Sequence, residues 1–196
     1  MDTPFRADIH PKYAGALTDH PIILLAEDSE DDVILIERAF RKARILSPLK
    51  VVRDGEDAIS YLTGFGRFAD RAQFPMPDLF LLDLKLPNRD GFEVLRWIKE
   101  QPELKKLPVI VLTQSDRIKD ANLAYQLGAY SFLIKGTDFN DTVVFAQSVS
   151  DYLAKAWTNG HTDLPPAAWP ATETMAPHSG LPTYPQPSQL PERQSH

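Results

Sequence analysis

Five short, mostly apolar runs separated by helical patterns constrain the fold of this chain more than any other feature of its sequence. The runs are Pro21–Ala26, Leu49–Arg53, Asp78–Asp83, Pro108–Thr113 and Tyr130–Lys135. A strand with one wet face alternates apolar and polar residues, whereas a strand buried on both faces is apolar almost throughout. The runs therefore predict a parallel sheet that helices cover on both sides.

A segment with apolar residues at helical spacing follows each run. Ser29 and the acids after it favour a helix start, as does Asp90 before Gly91, and Gly128 is a predicted helix C-cap. The predicted helices cover 29–43, 56–62, 92–98, 118–127 and 139–157. Because crossovers between parallel strands are right-handed, the five repeats predict a doubly wound α/β fold.

Polar side chains stand at the carboxyl ends of four of the predicted strands. They are Glu27, Asp28, Asp83, Thr113 and Lys135. Taken singly, each has an ordinary structural explanation, since acids often cap the next helix. In open parallel sheets, however, function collects outside the carboxyl ends of the strands. Because all five polar residues stand at carboxyl ends of predicted strands, the sequence predicts that they share one site.

Clustered carboxylates repel one another unless a cation neutralises them. A hard divalent ion with oxygen ligands, Mg²⁺ or alternatively Mn²⁺, suits such a cluster. One carboxylate can then act as a nucleophile toward phosphorus and form an aspartyl phosphate. A metal, a lysine and a hydroxyl together neutralise the oxygens of the transferred group.

At this point the sequence resembles the receiver domains of two-component response regulators over nearly all of residues 21–157. The matching motifs are Leu25–Asp32, Leu81–Gly91, Val111–Asp116 and Ile134–Lys135. The long loop at Gly64–Pro77 is most similar to that of the single-domain receivers associated with bacterial phytochromes. The resemblance implies a flavodoxin-like (βα)5 fold with a five-stranded sheet in the order 2-1-3-4-5.

The resemblance also implies a role for each site residue. Asp83 becomes the phosphoacceptor, and Lys135 pairs with the phosphoryl group. Thr113 moves to form a hydrogen bond with that group, and Phe132 changes its rotamer together with Thr113. The implied Mg²⁺ ligands are Asp28, Asp83, the backbone carbonyl of Lys85, and Glu27 through a water.

Three residues depart from the family's usual pattern. Gly136 follows the site lysine where members usually have proline, and a trans peptide bond is expected there because a cis bond without proline is costly. Gln114 replaces a small residue and narrows access to the site, and Lys85 places a flexible cation beside it. These changes bear on phosphoryl lifetime and switching, not on the basic chemistry.

The expected function is a stand-alone response regulator that takes a phosphoryl group from a histidine kinase, with a bacterial phytochrome among the candidate kinases. It then signals by protein contact and is not a turnover enzyme. A non-phosphorylated receiver-like scaffold is the alternative, and a metal-dependent phosphatase is less favoured because Lys85 stands where such enzymes have a second acid. Aromatic residues on the last two helices and the last strand predict a homodimer through that face.

Composition sets the outer limits of these expectations. The chain has 196 residues with a net charge of −6 and no cysteine, which argues against nucleic-acid binding and Cys-ligated metals. No apolar run approaches the length of a membrane span, so we expect a cytoplasmic protein. Residues 1–20 are expected to be a loose arm, 21–157 the receiver domain, and the proline-rich 158–196 a disordered tail.

Overall fold

A computed structural model describes residues 20–114, 117–136 and 138–158. Its strands are β1 Ile23–Ala26, β2 Leu49–Val52, β3 Leu79–Asp83, β4 Val109–Thr113 and β5 Ser131–Ile134. Its α-helices are α1 Glu30–Lys42, α2 Gly55–Thr63, α3 Gly91–Glu100, α4 Ile118–Gln126 and α5 Phe139–Thr158. The ten predicted elements are present, and a short 3₁₀-helix at Gly66–Phe68 is added. Residues 1–19 and 159–196 lie outside the described part, so the arm and the tail stay predictions.

The five strands form one parallel sheet in the order β2-β1-β3-β4-β5. The predicted strand order is therefore confirmed. The order reverses between β1 and β3, which are paired with Ile23 opposite Leu79 and Ala26 opposite Leu82. Such a switch point opens a crevice at the carboxyl edge of the sheet, which places the candidate site there.

Alternate residues of the strands enter two separate cores, one on each face of the sheet. Leu24, Phe80 and Val111 point to the core that α2 and α3 cover. Leu25 and Leu81 point to the other core, under α1 and α5. Each of these five side chains is fully buried. Burial on both faces explains why the runs are apolar without alternation.

Local signals fix where the helices beside the site begin. The Ser29 hydroxyl accepts a hydrogen bond from the Asp32 backbone N–H, so α1 starts directly after Glu27 and Asp28. Asp90 and Glu93 form a reciprocal capping box at the start of α3. A Cβ atom at Gly91 would lie 2.3 Å from the Asp83 carbonyl oxygen, so glycine lets α3 start against the end of β3.

Helix α5 is the longest helix of the described residues, and it packs on α1. The rings of Phe40 and Phe145 meet at this contact with their centroids 6.3 Å apart. In the part of the chain that the model covers, neither α5 nor any other helix has the length and apolar content that crossing a bilayer requires.

Candidate phosphoryl-transfer site

The carboxyl edge of the sheet brings the side chains of three strand ends into contact. Glu27 follows β1, Asp83 is the last residue of β3, and Lys135 follows β5. The Lys135 ammonium donates to Glu27 Oε2 at 2.5 Å and to Asp83 Oδ2 at 3.2 Å. The sequence predicted that these side chains converge, and the geometry places them within hydrogen-bonding distance.

Asp32 also reaches the lysine, and sequence reasoning did not include it among the site residues. Its Oδ2 atom accepts a hydrogen bond from Lys135 Nζ at 2.8 Å. The acids that follow Ser29 have a local explanation at a helix start, which concealed this second role. The available signal was position, because Asp32 lies in the first turn of α1, only five residues after Glu27 at the carboxyl end of β1.

Three carboxylates form a compact group beside this lysine. Oxygen atoms of Glu27, Asp28 and Asp83 lie within 4.8 Å of one another. Glu27 is fully buried, Asp83 is 5% exposed and Asp28 faces solvent, so the group opens outward on one side. With Asp32 there are four carboxylates against the one ammonium of Lys135, which leaves three negative charges when all are ionised.

Burial and mutual repulsion oppose ionisation of this cluster. Loss of hydration raises the pKa of Glu27, although Lys135 acts in the opposite direction. Burial likewise raises the pKa of Asp83 above its ordinary value, against the lowering effect of Lys135 and of the backbone N–H groups of Leu84 and Lys85. An added cation would relieve both effects, because it neutralises the oxygens that burial has deprived of water.

Lys135 keeps its charge in this setting. Burial alone would lower its pKa, but hydrogen bonds to Asp32 and Glu27 and the nearby charge of Asp83 outweigh burial and raise it. The side chain is only 13% exposed. Lys135 is thus a charged ammonium that three carboxylates hold in place at the carboxyl edge of the sheet.

Thr113 and Phe132, the two residues with predicted switch roles, lie on the neighbouring strands β4 and β5. Thr113 is fully buried at the end of β4, and its carbonyl oxygen accepts a hydrogen bond from the Lys135 backbone N–H at 2.7 Å. Phe132 lies in β5 opposite Val111 and packs, partly buried, against the core under α2 and α3. Their movement on phosphorylation stays a prediction.

The loop from β3 to α3 is fastened to the start of α2. The carbonyl of Pro87 accepts from the Gly55 N–H, and the Asn88 side chain donates to Asp54 at 3.0 Å. Arg89 pairs with Glu56. The Lys85 side chain in this loop is exposed and forms no ion pair with the described residues.

Gly136, which follows the site lysine, has a steric explanation. A Cβ atom at this position would lie 2.0 Å from the Asp141 Cβ atom. No cis peptide bond occurs in the described residues, so the bond from Lys135 to Gly136 is trans as expected. Glycine therefore lets the start of α5 approach the lysine-bearing strand closely.

A doubly wound parallel sheet with acids at β1 and β3 and a lysine after β5 defines the receiver class of signalling domains. Comparison with known families agrees: the model of the response regulator receiver domain matches residues 23–158. The chain belongs to the response regulator receiver domain family.

Its relatives include single response regulators, one of which is named for a phytochrome. The response regulator Rcp1 of Synechocystis is 37% identical over 131 residues, which are 67% of this chain and 87% of the relative. A crystal structure of the phosphorylated cyanobacterial phytochrome response regulator RcpA covers 74% of this chain and 99% of its own, with 33% identity and a TM-score of 0.64. The structure of the Mn²⁺-bound form of Rcp1 has the same coverage, 34% identity and a TM-score of 0.61.

Proposed function

We propose that this receiver accepts a phosphoryl group on Asp83 from a histidine kinase and signals by phosphorylation-dependent protein contact. The observation that supports the proposal best is the contact of Lys135 with Asp83 and Glu27. These two acids and Asp28 form a cluster whose negative charge exceeds the one positive charge of Lys135. One of the similar structures described above, RcpA, is named as a phytochrome response regulator and was solved in phosphorylated form, which favours the same chemistry here.

In this proposal an Asp83 carboxylate oxygen attacks the phosphorus of the donor. A P–O bond forms as the donor's bond to phosphorus breaks, and the donor group leaves with the electron pair of that bond. With acetyl phosphate the leaving group is acetate, and with a phosphohistidine it is an imidazole that takes up a proton. Lys135 already lies 3.2 Å from Asp83, so its ammonium is in position to pair with an oxygen of the transferred group.

The donor atoms of the acidic cluster fit a hard divalent cation. Asp28 and Asp83 would hold Mg²⁺, with the Lys85 backbone carbonyl and, through a water, Glu27. When bound, such an ion offsets negative charge on the acids and on the phosphoryl oxygens. Mn²⁺ is accepted by the same oxygen ligands, in agreement with the Mn²⁺-bound structure of Rcp1.

The partners follow from the same proposal. A histidine kinase supplies the phosphoryl group, and the name of RcpA, a cyanobacterial phytochrome response regulator, favours a bacterial phytochrome as that kinase. The protein works in the cytoplasm, where such kinases present their phosphohistidine, and it turns over no external substrate. Its relative Rcp1 is matched over most of its length by the receiver alone, which favours output through protein contact.

The test is intact-mass analysis after incubation with acetyl phosphate, with Mg²⁺ and with EDTA. We expect the wild-type protein to gain one phosphoryl group only with Mg²⁺. Asp83→Asn should gain none, because an amide is neither a nucleophile nor an anionic ligand. Asp31→Asn is the matched control, since Asp31 is an exposed aspartate in the first turn of α1 and should leave phosphorylation intact.

Two results would contradict this assignment. Phosphate on the Asp83→Asn variant would mean that another side chain is the acceptor. If the wild-type protein binds Mg²⁺ yet takes up no phosphate, the hypothesis of a phosphorylation switch is wrong and that of a non-phosphorylated receiver-like scaffold takes its place.

A further inference from the structure

Asp32 contacts the site lysine without belonging to the group that fits a cation. Its carboxylate lies 2.8 Å from Lys135 Nζ. In the described residues, the oxygens that lie within 4.8 Å of one another are those of Glu27, Asp28 and Asp83. Lys135 therefore links the cation-binding group to a carboxylate outside it.

The three contacts of the ammonium differ in length. Those to Glu27 and Asp32, at 2.5 Å and 2.8 Å, are shorter than the one to Asp83, at 3.2 Å. We propose that Asp32 is a positioning residue that holds the Lys135 ammonium back from Asp83. This inference rests on the proposed function, because it gives Asp32 a task in the same reaction.

The physical reason is competition for the charge of Asp83. Without Asp32, the ammonium keeps two carboxylate partners, Glu27 and Asp83, and moves closer to Asp83. A tight ion pair there neutralises the oxygen that has to bind the cation and attack phosphorus. With Asp32 present, the Lys135 ammonium can stay paired with Asp32 and Glu27 while a divalent cation binds the Asp83 carboxylate.

A local role at the helix start does not account for this contact. The N-terminus of α1 favours acids, and Glu30 and Asp31 satisfy that preference as well as Asp32 does. The capping hydroxyl is supplied by Ser29. Neither effect requires the Asp32 side chain to meet a lysine 103 residues further along the chain.

The experiment is a double-mutant cycle read out as the Mg²⁺ dissociation constant by calorimetry. The proteins are the wild type, Asp32→Asn, Asp31→Asn, Lys135→Gln and the double variant of positions 32 and 135. Asp31→Asn is matched, because it removes the same charge from the same helical turn and Asp31 has no side-chain bond in the described structure. All five are first checked for folding by circular dichroism.

We expect Asp32→Asn to weaken Mg²⁺ binding about fivefold more than Asp31→Asn does, and this excess to vanish when Lys135 is Gln. Asp32→Glu, which restores the carboxylate, should recover most of the lost affinity. Asp32→Ser serves for the same comparison should the asparagine variant not fold.

Equal effects of the two asparagine variants would overturn the proposal, as would an Asp32→Asn effect that persists without Lys135. Either result would mean that Asp32 acts through its charge alone. Mg²⁺ binding needs no phosphoryl transfer, so the cycle decides the role of Asp32 even if acetyl phosphate fails to label Asp83.

Discussion

Asp83 carries its negative charge at a position where burial opposes ionisation, and this conflict affects stability as well as chemistry. Its pKa is raised from 3.8 mainly by loss of hydration. A raised pKa means that the folded state binds the proton more tightly than the unfolded state. The contribution of Asp83 to the free energy of unfolding therefore falls as the pH rises from its unfolded pKa through its folded pKa.

We predict that Asp83→Asn stabilises the protein when divalent cations are absent, by about 1 kcal/mol near neutral pH, because it removes a buried charge from an acidic cluster. The gain should shrink as the pH is lowered through the folded pKa to below the unfolded pKa, where Asp83 is protonated in both states. The measurement is urea unfolding in EDTA across this pH range.

Asp31→Asn again gives the baseline, since it changes the same formal charge at an exposed position. An Asp83→Asn variant less stable than wild type at neutral pH would show that the contact with Lys135 outweighs burial. A gain that does not change with pH would show that it arises from packing instead.

Among the elements, the loop between α2 and β3 depends on one arginine. The Arg71 guanidinium donates to the carbonyl oxygens of Tyr61 at 2.7 Å, Leu62 at 2.8 Å and Phe74 at 3.2 Å. The first two are carbonyl oxygens in the last turn of α2, where the helix no longer supplies an N–H donor four residues further along. Arg71 thus ties the helix end to the far side of the loop.

We predict that Arg71→Lys lowers the free energy of unfolding by about 1–2 kcal/mol, because an ammonium lacks the fork that reaches several carbonyls at once. Arg67→Lys is the control in the same loop. Arg67 pairs with Asp57 at the surface, its side chain is 66% exposed, and its replacement should change stability by less than about 0.5 kcal/mol. Denaturant unfolding of both variants checks this, and equal losses would refute the role of Arg71.

The same loop shows where sequence reasoning reaches its limit. Strand ends were predictable because burial on both faces makes each run apolar, and the position of Asp83 and Lys135 followed from the parallel sheet. The ring cluster of Tyr61, Phe68 and Phe74 was not predicted, because those residues share no period and meet only through tertiary packing. Asp32 was overlooked for the opposite reason: a local rule already explained it.

At the scale of the whole molecule, the site and the face predicted to pair share one strand. Lys135 follows directly after β5, which lies at the sheet edge and leads into α5. A change in the contacts of Lys135 therefore takes place next to the surface where a partner on α4, β5 and α5 would bind. The two helices carry exposed apolar side chains, with Leu123 on α4 at 38% and Val144 on α5 at 44% exposure.

We predict a homodimer through this α4–β5–α5 face, measured by light scattering at tens of micromolar with and without beryllofluoride, which stands in for the phosphoryl group. Leu123→Glu and Val144→Glu should shift the protein to monomer, because each buries a charge in the contact. Leu46→Glu is the control: Leu46 is 72% exposed and precedes β2, at the opposite edge of the sheet. A wild-type protein that stays monomeric in both conditions, or a control that dissociates as well, would rule this face out as the dimer contact.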